Sequence, residues 1–221
     1  MPASIVTVAQ QKGGAGKTTM AAQLAVAWAA QGNRVAMVDI DPQGSLAAWH
    51  SLRSDMYSED DPDAPSSLHL SDVAGWRLST ELDRLRRNYD IVIVDCPPHA
   101  ETEAKTAVRA GDITLIPIQP SPMDLWATKP TLDMTVKEKS EALLVLNRVP
   151  PRGRLPALVE RKLKEANMPL AETQIGNRTA FAASLMEGKG VVESHRRSVA
   201  SQEIQALAAE IDARLNGRLA A

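Results

Sequence analysis

An apolar run, Ile5-Val6-Thr7-Val8-Ala9, leads directly into Gln10-Gln11-Lys12-Gly13-Gly14-Ala15-Gly16-Lys17-Thr18-Thr19, and that segment leads directly into Met20-Ala21-Ala22-Gln23-Leu24-Ala25-Val26-Ala27-Trp28. The succession of strand, glycine-rich turn and helix leaves few folds open. Glycines at 13, 14 and 16 let several backbone N–H groups converge on one anion, because no Cβ stands in the way. A helix that begins immediately afterwards aims its own unpaired N–H groups at the same place. The expectation is a phosphate-binding loop in which Gly13, Gly14, Ala15, Gly16, Lys17, Thr18 and Thr19 surround a nucleotide. Lys17 then reaches the β- and γ-phosphates, and the Thr18 hydroxyl holds a Mg²⁺ ion that bridges them.

Along the rest of the chain, short apolar runs alternate with helical patterns, which predicts an α/β fold: a mostly parallel, twisted sheet with helices on both faces. The expected strands are 4–9, 34–39, 90–95, 112–118, 142–147 and 171–175, with a weaker one around 68–70. Expected helices are 17–31, closed by Gly32, then 45–52, 80–87, 101–110, 124–139, 155–166, 179–187 and 199–215. The acidic, proline-containing stretch from Ser54 to Pro65 reads as an exposed loop. With 221 residues, 44% of them hydrophobic, the chain suits one domain with one sizeable core.

Charge and cysteine content remove several function classes. A net charge of −2 gives no global attraction to nucleic acid, so any such binding needs a local basic patch. Cys96 is the only cysteine, which rules out an internal disulfide and suits a cytoplasmic protein. No stretch reads as a signal peptide or a membrane span.

Two aspartate-bearing strand ends accompany the loop. Val35-Ala36-Met37-Val38-Asp39-Ile40-Asp41-Pro42-Gln43-Gly44 places two carboxylates two positions apart, hence on one side of the strand end. A plain turn with an N-terminal helix cap explains the same residues. Asp90-Ile91-Val92-Ile93-Val94-Asp95-Cys96-Pro97-Pro98 ends a buried strand in Asp95, where the crevice of an open α/β sheet lies and where a carboxylate can accept from a metal-bound water. Cys96 reads as a packed small residue. No aspartate follows Asn147-Arg148-Val149-Pro150 in the spacing that would read a guanine edge.

The pattern K-G-G-x-G-K-T-T at 12–19, with Gln11 where the common loop has glycine, resembles the deviant Walker A loop of the ParA/MinD family. The resemblance implies a P-loop NTPase of the SIMIBI/ParA type with ATP and Mg²⁺ as cofactors. It further implies that Lys12 crosses a dimer interface to the nucleotide of the other subunit; for a lone lysine, a solvated loop position is the commoner outcome. The V-D-x-D-P-Q and D-x-P-P segments resemble the family's. In it, the residue matching Asp41 positions the attacking water, that matching Asp39 lies near the metal beside Thr18 and Asp95, and Asn147 with its neighbour Arg148 stands at the nucleotide, Asn147 at the adenine.

Leu115-Ile116-Pro117-Ile118-Gln119-Pro120-Ser121-Pro122-Met123-Asp124, and Ile175-Gly176-Asn177-Arg178 with the helix after it, extend the likeness to small, ParF-like partition proteins. These lack an N-terminal DNA-reading domain, and none is expected here. The resemblance then implies an ATP-dependent homodimer that binds DNA without sequence preference and an adaptor, ParB-like or linked to a cargo, that stimulates a weak ATPase. A nucleoid-associated location and the positioning of a plasmid or protein assembly follow from it. Candidate DNA contacts are Arg152, Arg154, Arg161, Lys162 and Lys164, with Arg148, Arg178, Arg196 and Arg197; a solvated helix face is the competing reading. A MinD-like membrane switch would need an amphipathic anchor, and the stretch 210–221 is poor in large apolar residues. An iron–sulfur carrier would need more thiolates than one Cys96 per chain supplies. A metabolic P-loop synthetase or kinase stays open, although it would have no use for Lys12.

Overall fold

The computed structural model describes residues 2–57, 66–73, 77–98 and 101–219. Six parallel strands form one sheet: β1 (Ser4–Val8), β2 (Val35–Asp39), β3 (His69–Asp72), β4 (Ile91–Asp95), β5 (Ile113–Ile118) and β6 (Glu141–Leu146), in the order β3-β2-β4-β1-β5-β6. Parallel neighbours need crossover connections, and helices supply them. These are α1 (Lys17–Ala30), α2 (Ser45–Met56), α3 (Leu78–Asn88), α4 (Glu101–Ala110) and α5 (Pro122–Glu138); α6 (Leu155–Glu165), α7 (Thr179–Met186), α8 (Val191–Ser194) and α9 (Val199–Leu219) follow β6.

Both faces of the sheet are covered, so the central strands are mostly apolar on both faces rather than alternating, with Thr7 and Thr114 among the buried exceptions. On one face Val6, Val8, Met37, Ile93 and Leu115 pack against α1, α2, α7, α8 and α9. On the other, Ile5, Val38, Val92 and Val94 pack against α3, α4 and α5, while Ile116, Ile118, Leu144 and Leu146 meet Val159 and Leu163 of α6. Helix α1 is buried almost all round, which explains its lack of a polar face. Its Gln23 is satisfied inside the core: Nε2 donates to Ser184 Oγ at 2.9 Å and Oε1 accepts from Val191 N at 2.8 Å.

The register brings the functional carboxylates together. Asp95 is paired with Val8 of β1 on one side and with Asp39 of β2 on the other, all at the carboxyl edge of the sheet where the loop after β1 begins.

The elements differ from the sequence expectation in three places. The expected strand at 171–175 does not form; Leu170 and Gly176 make isolated bridges to Leu144 and Val149. Between them, the N–H groups of Glu172 and Thr173 are taken by the Glu210 carboxylate of α9, at 2.9 and 3.0 Å, which breaks the ladder. Second, Ser54 to Met56 continue α2, so the expected loop starts later; its residues 58–65 lie outside the described residues. Third, the short helix α8 had no counterpart in the sequence pattern, and α9 runs past the expected end at 215.

Candidate functional site

Helix α1 begins at Lys17, after Gly16 in the left-handed region at φ 93°, and its first turn has neither a side-chain cap nor an acidic residue. Its N-terminal N–H groups are therefore free for an external anion. Gly16 is required twice over: its φ strains any L side chain, and a Cβ there would lie 2.5 Å from Asn147 Nδ2. Asn147 closes the loop from beneath, donating from Nδ2 to Ala15 O at 2.8 Å and accepting the Arg148 N–H at 2.9 Å. Gln119 Nε2 donates to Gly14 O at 3.0 Å from the β5–α5 turn. Lys17 is only 7% exposed, yet no carboxylate among the described residues pairs with it. A buried cation without a counter-charge is costly, and the arrival of an anion relieves that cost.

Beside it, Thr18 Oγ1 donates to Asp95 Oδ2 at 2.6 Å. Asp95 is fully buried, its Oδ1 has no hydrogen-bond partner among the described residues, and burial raises its carboxyl to about 7. An orphaned buried carboxylate oxygen next to a hydroxyl is a hard oxygen donor set that fits Mg²⁺. Among the described residues, no group of three or more His, Cys, Asp or Glu side chains could hold a metal unaided, so phosphate and water must complete such an ion's shell.

Asp39 is committed to local structure. Its Oδ1 accepts from Asp41 N at 3.1 Å and its Oδ2 from Ala47 N at 3.0 Å, so it ties the turn after β2 to the first turn of α2. Burial raises its pKa, against these hydrogen bonds. Asp41 Oδ1 accepts from Gln43 N at 3.0 Å, in an Asx-type turn, and Asp41 lines the same cavity as Gly13, Gly16, Lys17 and Thr18.

Lys12 is turned away from this cavity. Its Nζ lies 2.5 Å from Asp124 Oδ2 on the first turn of α5, and Asp124 is almost fully buried. Asp124 also takes the Ser121 hydroxyl, and its own N–H donates to Ser121 Oγ at 3.1 Å, which caps α5. Gln10 anchors the loop to α5 through Thr128 and Thr131, both at 3.2 Å.

The family model described as the CobQ/CobB/MinD/ParA nucleotide binding domain matches residues 6–192. The chain belongs to this family. It is 32% identical over 215 residues to the maintenance of carboxysome distribution protein A of Halothiobacillus neapolitanus, covering 93% of this chain and 95% of that one. Among solved structures, an ATP complex of a Cyanothece McdA variant superposes with a TM-score of 0.77 at 19% identity, covering 95% of this chain and 96% of that one. The septum site-determining protein MinD of Pyrococcus horikoshii, complexed with Mg-ADP, gives 0.76 at 21% identity over 95% of this chain and 96% of that one. Both likenesses establish the fold of a CobQ/CobB/MinD/ParA nucleotide-binding domain.

Two concavities meet at the loop of this family member. One, about 680 Å³, runs from Lys17 and Thr18 between α2 and α7 past Trp49 and Met186. The other, about 430 Å³, lies under Met20, Ile175, Phe181 and Asn177. Arg148 borders both, held in the left-handed region at φ 52°. The Asn147 amide, expected at the adenine, is engaged at both ends by the loop and by Arg148, so its present hydrogen bonds shape the cavity wall.

The basic candidates fall into two sets. Arg178 is held by Glu203 through Nε at 2.9 Å and Nη2 at 2.6 Å, Lys164 pairs with Glu160 at 2.7 Å, and Arg161 lies 3.7 Å from Glu165. Arg152, Arg154, Lys162, Arg196 and Arg197 are exposed, and no carboxylate among the described residues pairs with them. Cys96 is fully buried, and burial pushes its thiol pKa up. Two participants escaped the sequence reading: Gln119, which holds Gly14, and Asp124, which holds Lys12. Both stand in the quoted 115–124 segment, whose three prolines and Ser-Pro-x-Asp helix start were the only available signal. Among the described residues no helix is long and apolar enough to cross a membrane.

Proposed function

We propose that this chain is an ATP-hydrolysing switch that closes into a homodimer with ATP, binds DNA without sequence preference and positions a cargo over the nucleoid. The observation that carries the reading is the division of labour between the loop's two lysines: Lys17 is buried at the cavity without a direct ion-pair partner among the described residues, and Lys12 is held outside it on Asp124. A metabolic P-loop enzyme needs the first alone.

In this reading Gly13, Gly14, Ala15, Gly16, Thr18 and Thr19 present backbone and hydroxyl groups to the phosphates, and Lys17 neutralises their charge. Thr18 and Asp95 would hold Mg²⁺, which would neutralise and orient the phosphate oxygens, and Asp39 fixes the turn that carries Asp41. Asp41 orients the attacking water from the cavity wall. Arg148, which borders both cavities, and Asn147, which lines the one under Phe181, would contact the nucleotide, Asn147 at the adenine. Exposed Arg152, Arg154, Lys162, Arg196 and Arg197 contact DNA phosphates, with Arg161, Lys164 and Arg178 contributing only where their carboxylate partners release them.

The end-to-end likeness to a protein named for carboxysome distribution supports a protein assembly as cargo. An adaptor that stimulates hydrolysis would join the dimer to it. Purified chain should release phosphate from ATP slowly, faster with the product of the neighbouring reading frame and duplex DNA together. Turnover of a small-molecule co-substrate without any partner would defeat the proposal.

A further inference from the structure

Helices α1 and α2 carry two halves of the site at their heads. Lys17 and Thr18 open α1, and α2 starts just after Asp41, in a turn that Asp39 ties to Ala47. Farther along, the bodies of the two helices are joined through α8 by a buried polar brace. Gln23 of α1 accepts the N–H of Val191, the first residue of α8, at 2.8 Å. Two residues on, Glu193 takes Arg53 of α2 as a bidentate pair, Oε1 accepting from Nη2 at 2.7 Å and Oε2 from Nη1 at 2.9 Å. Arg53 is only 5% exposed, and its guanidinium also donates to Ser66 O at 2.6 Å and Gly188 O at 2.8 Å. Glu193 accepts in addition from the N–H groups of Ser66 and Gly190, both at 3.1 Å. Gly188 stands in the left-handed region at φ 63°, and a Cβ there would lie 2.8 Å from Arg53 Cα, so the turn between α7 and α8 rests directly on the backbone of α2.

A buried ion pair is an inefficient source of stability, since apolar residues of the same volume often serve as well. What a bidentate pair supplies is direction, because few arrangements of the two planar groups satisfy it. Toward the phosphate loop α2 and α7 part around the cavity of about 680 Å³, with Ser45, Trp49 and Leu52 on one helix and Ala182 and Met186 on the other. Trp49 carries the brace to the cavity wall, its ring centroid lying 5.7 Å from the Arg53 guanidinium. From Ser45 to Arg53 the axis of α2 runs about 12 Å, so a tilt of about 5° at the brace moves the head by about 1 Å. A misplacement of about 1 Å at a reacting centre costs on the order of 10²-fold in rate. We propose that Arg53 and Glu193 are positioning residues that, through α2, set Asp41 against Lys17 and Thr18. The role rests on the reading of Asp41 as the group that orients water.

The test uses the full chain, with phosphate release in a single turnover at saturating ATP and a fluorescent ATP analogue to read affinity and binding stoichiometry. Arg53→Lys and Glu193→Gln should slow release by about tenfold or more, while affinity stays within about threefold and stoichiometry is unchanged. Gly188→Ala leaves both charges in place but presses on Arg53; it should do the same, and it serves where an ion-pair variant fails to fold. Because the brace acts through Asp41, adding Arg53→Lys to Asp41→Ala should slow release by less than about twofold further. Normal release from folded Arg53→Lys and Glu193→Gln, or from Gly188→Ala where neither folds, would overturn the inference. An undiminished effect of Arg53→Lys in the Asp41→Ala background would overturn it too, as would a loss of rate matched by an equal loss of stoichiometry, since both mark a general structural role. An Asp41→Ala variant that releases phosphate normally would remove the water-orienting reading and this role with it. Slow Asp41→Ala beside normal brace variants would remove the role alone.

Discussion

Lys12 Nζ lies 2.5 Å from Asp124 Oδ2, across 112 residues of chain, and holds the signature lysine against the flank of its own subunit. If Lys12 moves to another subunit's nucleotide, as proposed, the Asp124 carboxylate is left almost fully buried and without its cation, which would oppose dimerisation. Asp124→Asn is therefore expected to lower the nucleotide concentration needed for dimer formation, on the order of tenfold, as read by light scattering. No change, or weaker dimerisation in a folded variant, would mean that the pair does not restrain Lys12.

The two loop lysines should separate in their effects. Lys17→Ala removes the buried positive charge from the phosphate cavity and should reduce nucleotide affinity by roughly a hundredfold or more. Lys12→Ala should leave the monomer's affinity nearly unchanged while abolishing the dimer. Calorimetric titration of dilute protein measures the first quantity, and equal losses in both variants would argue against distinct roles.

Asp41→Ala should reduce turnover by roughly 10² or more, because orientation of the attacking water is lost while the phosphate cradle stays intact. The nucleotide-bound dimer should persist in size-exclusion chromatography. A variant that hydrolyses ATP normally would place water positioning elsewhere on the cavity wall.

Asp95 links the site to stability. Burial raises its carboxyl from 3.8 to about 7, so the folded, ligand-free protein binds this proton more tightly than the unfolded chain does. Its contribution is fully present below the unfolded value and is lost as pH rises through about 7. Asp95→Asn should abolish that loss and make the ligand-free protein more stable than its parent above about pH 7, on the order of 1–3 kcal/mol, while removing Mg²⁺-dependent nucleotide binding. Thermal melts across this range decide the matter; a variant less stable at every pH would show that the carboxylate is not strained.

The basic residues should divide as their ion pairs do. Changing Arg196 and Arg197, or Arg152 and Arg154, to Glu should weaken binding to all duplex sequences alike and flatten its dependence on salt. Arg178→Glu should instead lower the melting temperature, because it sets two carboxylates, its own and Glu203, against each other where a bidentate pair stood. Filter binding over a salt series, with melts alongside, separates the outcomes.

The phosphate loop could be read from residues 12–19 because its chemistry is local: glycine at defined positions, then lysine and threonine, then a helix. The sheet was legible for the same reason, since each buried strand is a short apolar run that carries its own signal. What escaped depends on partners distant in sequence. Glu210 of α9 interrupts a run at 171–175 that reads as a strand in isolation, and Asp124 captures a lysine whose neighbours give no hint of it. Asn147 reads as a base contact, with a turn residue as the alternative; the fold, which places Ala15 O within 2.8 Å of its amide, shows what it now holds.

The position of β1 also bears on how the chain is made. Strand β1 is an interior one, and its two neighbours, which pair Ser4 with Ile91 and Val6 with Ile113, are synthesised well after it. Until then an apolar segment with two open hydrogen-bonding edges has nothing native to join, a circumstance that invites aggregation. The nucleotide-binding loop that follows β1 therefore acquires its shape only after β4 and β5 have been made and have joined it.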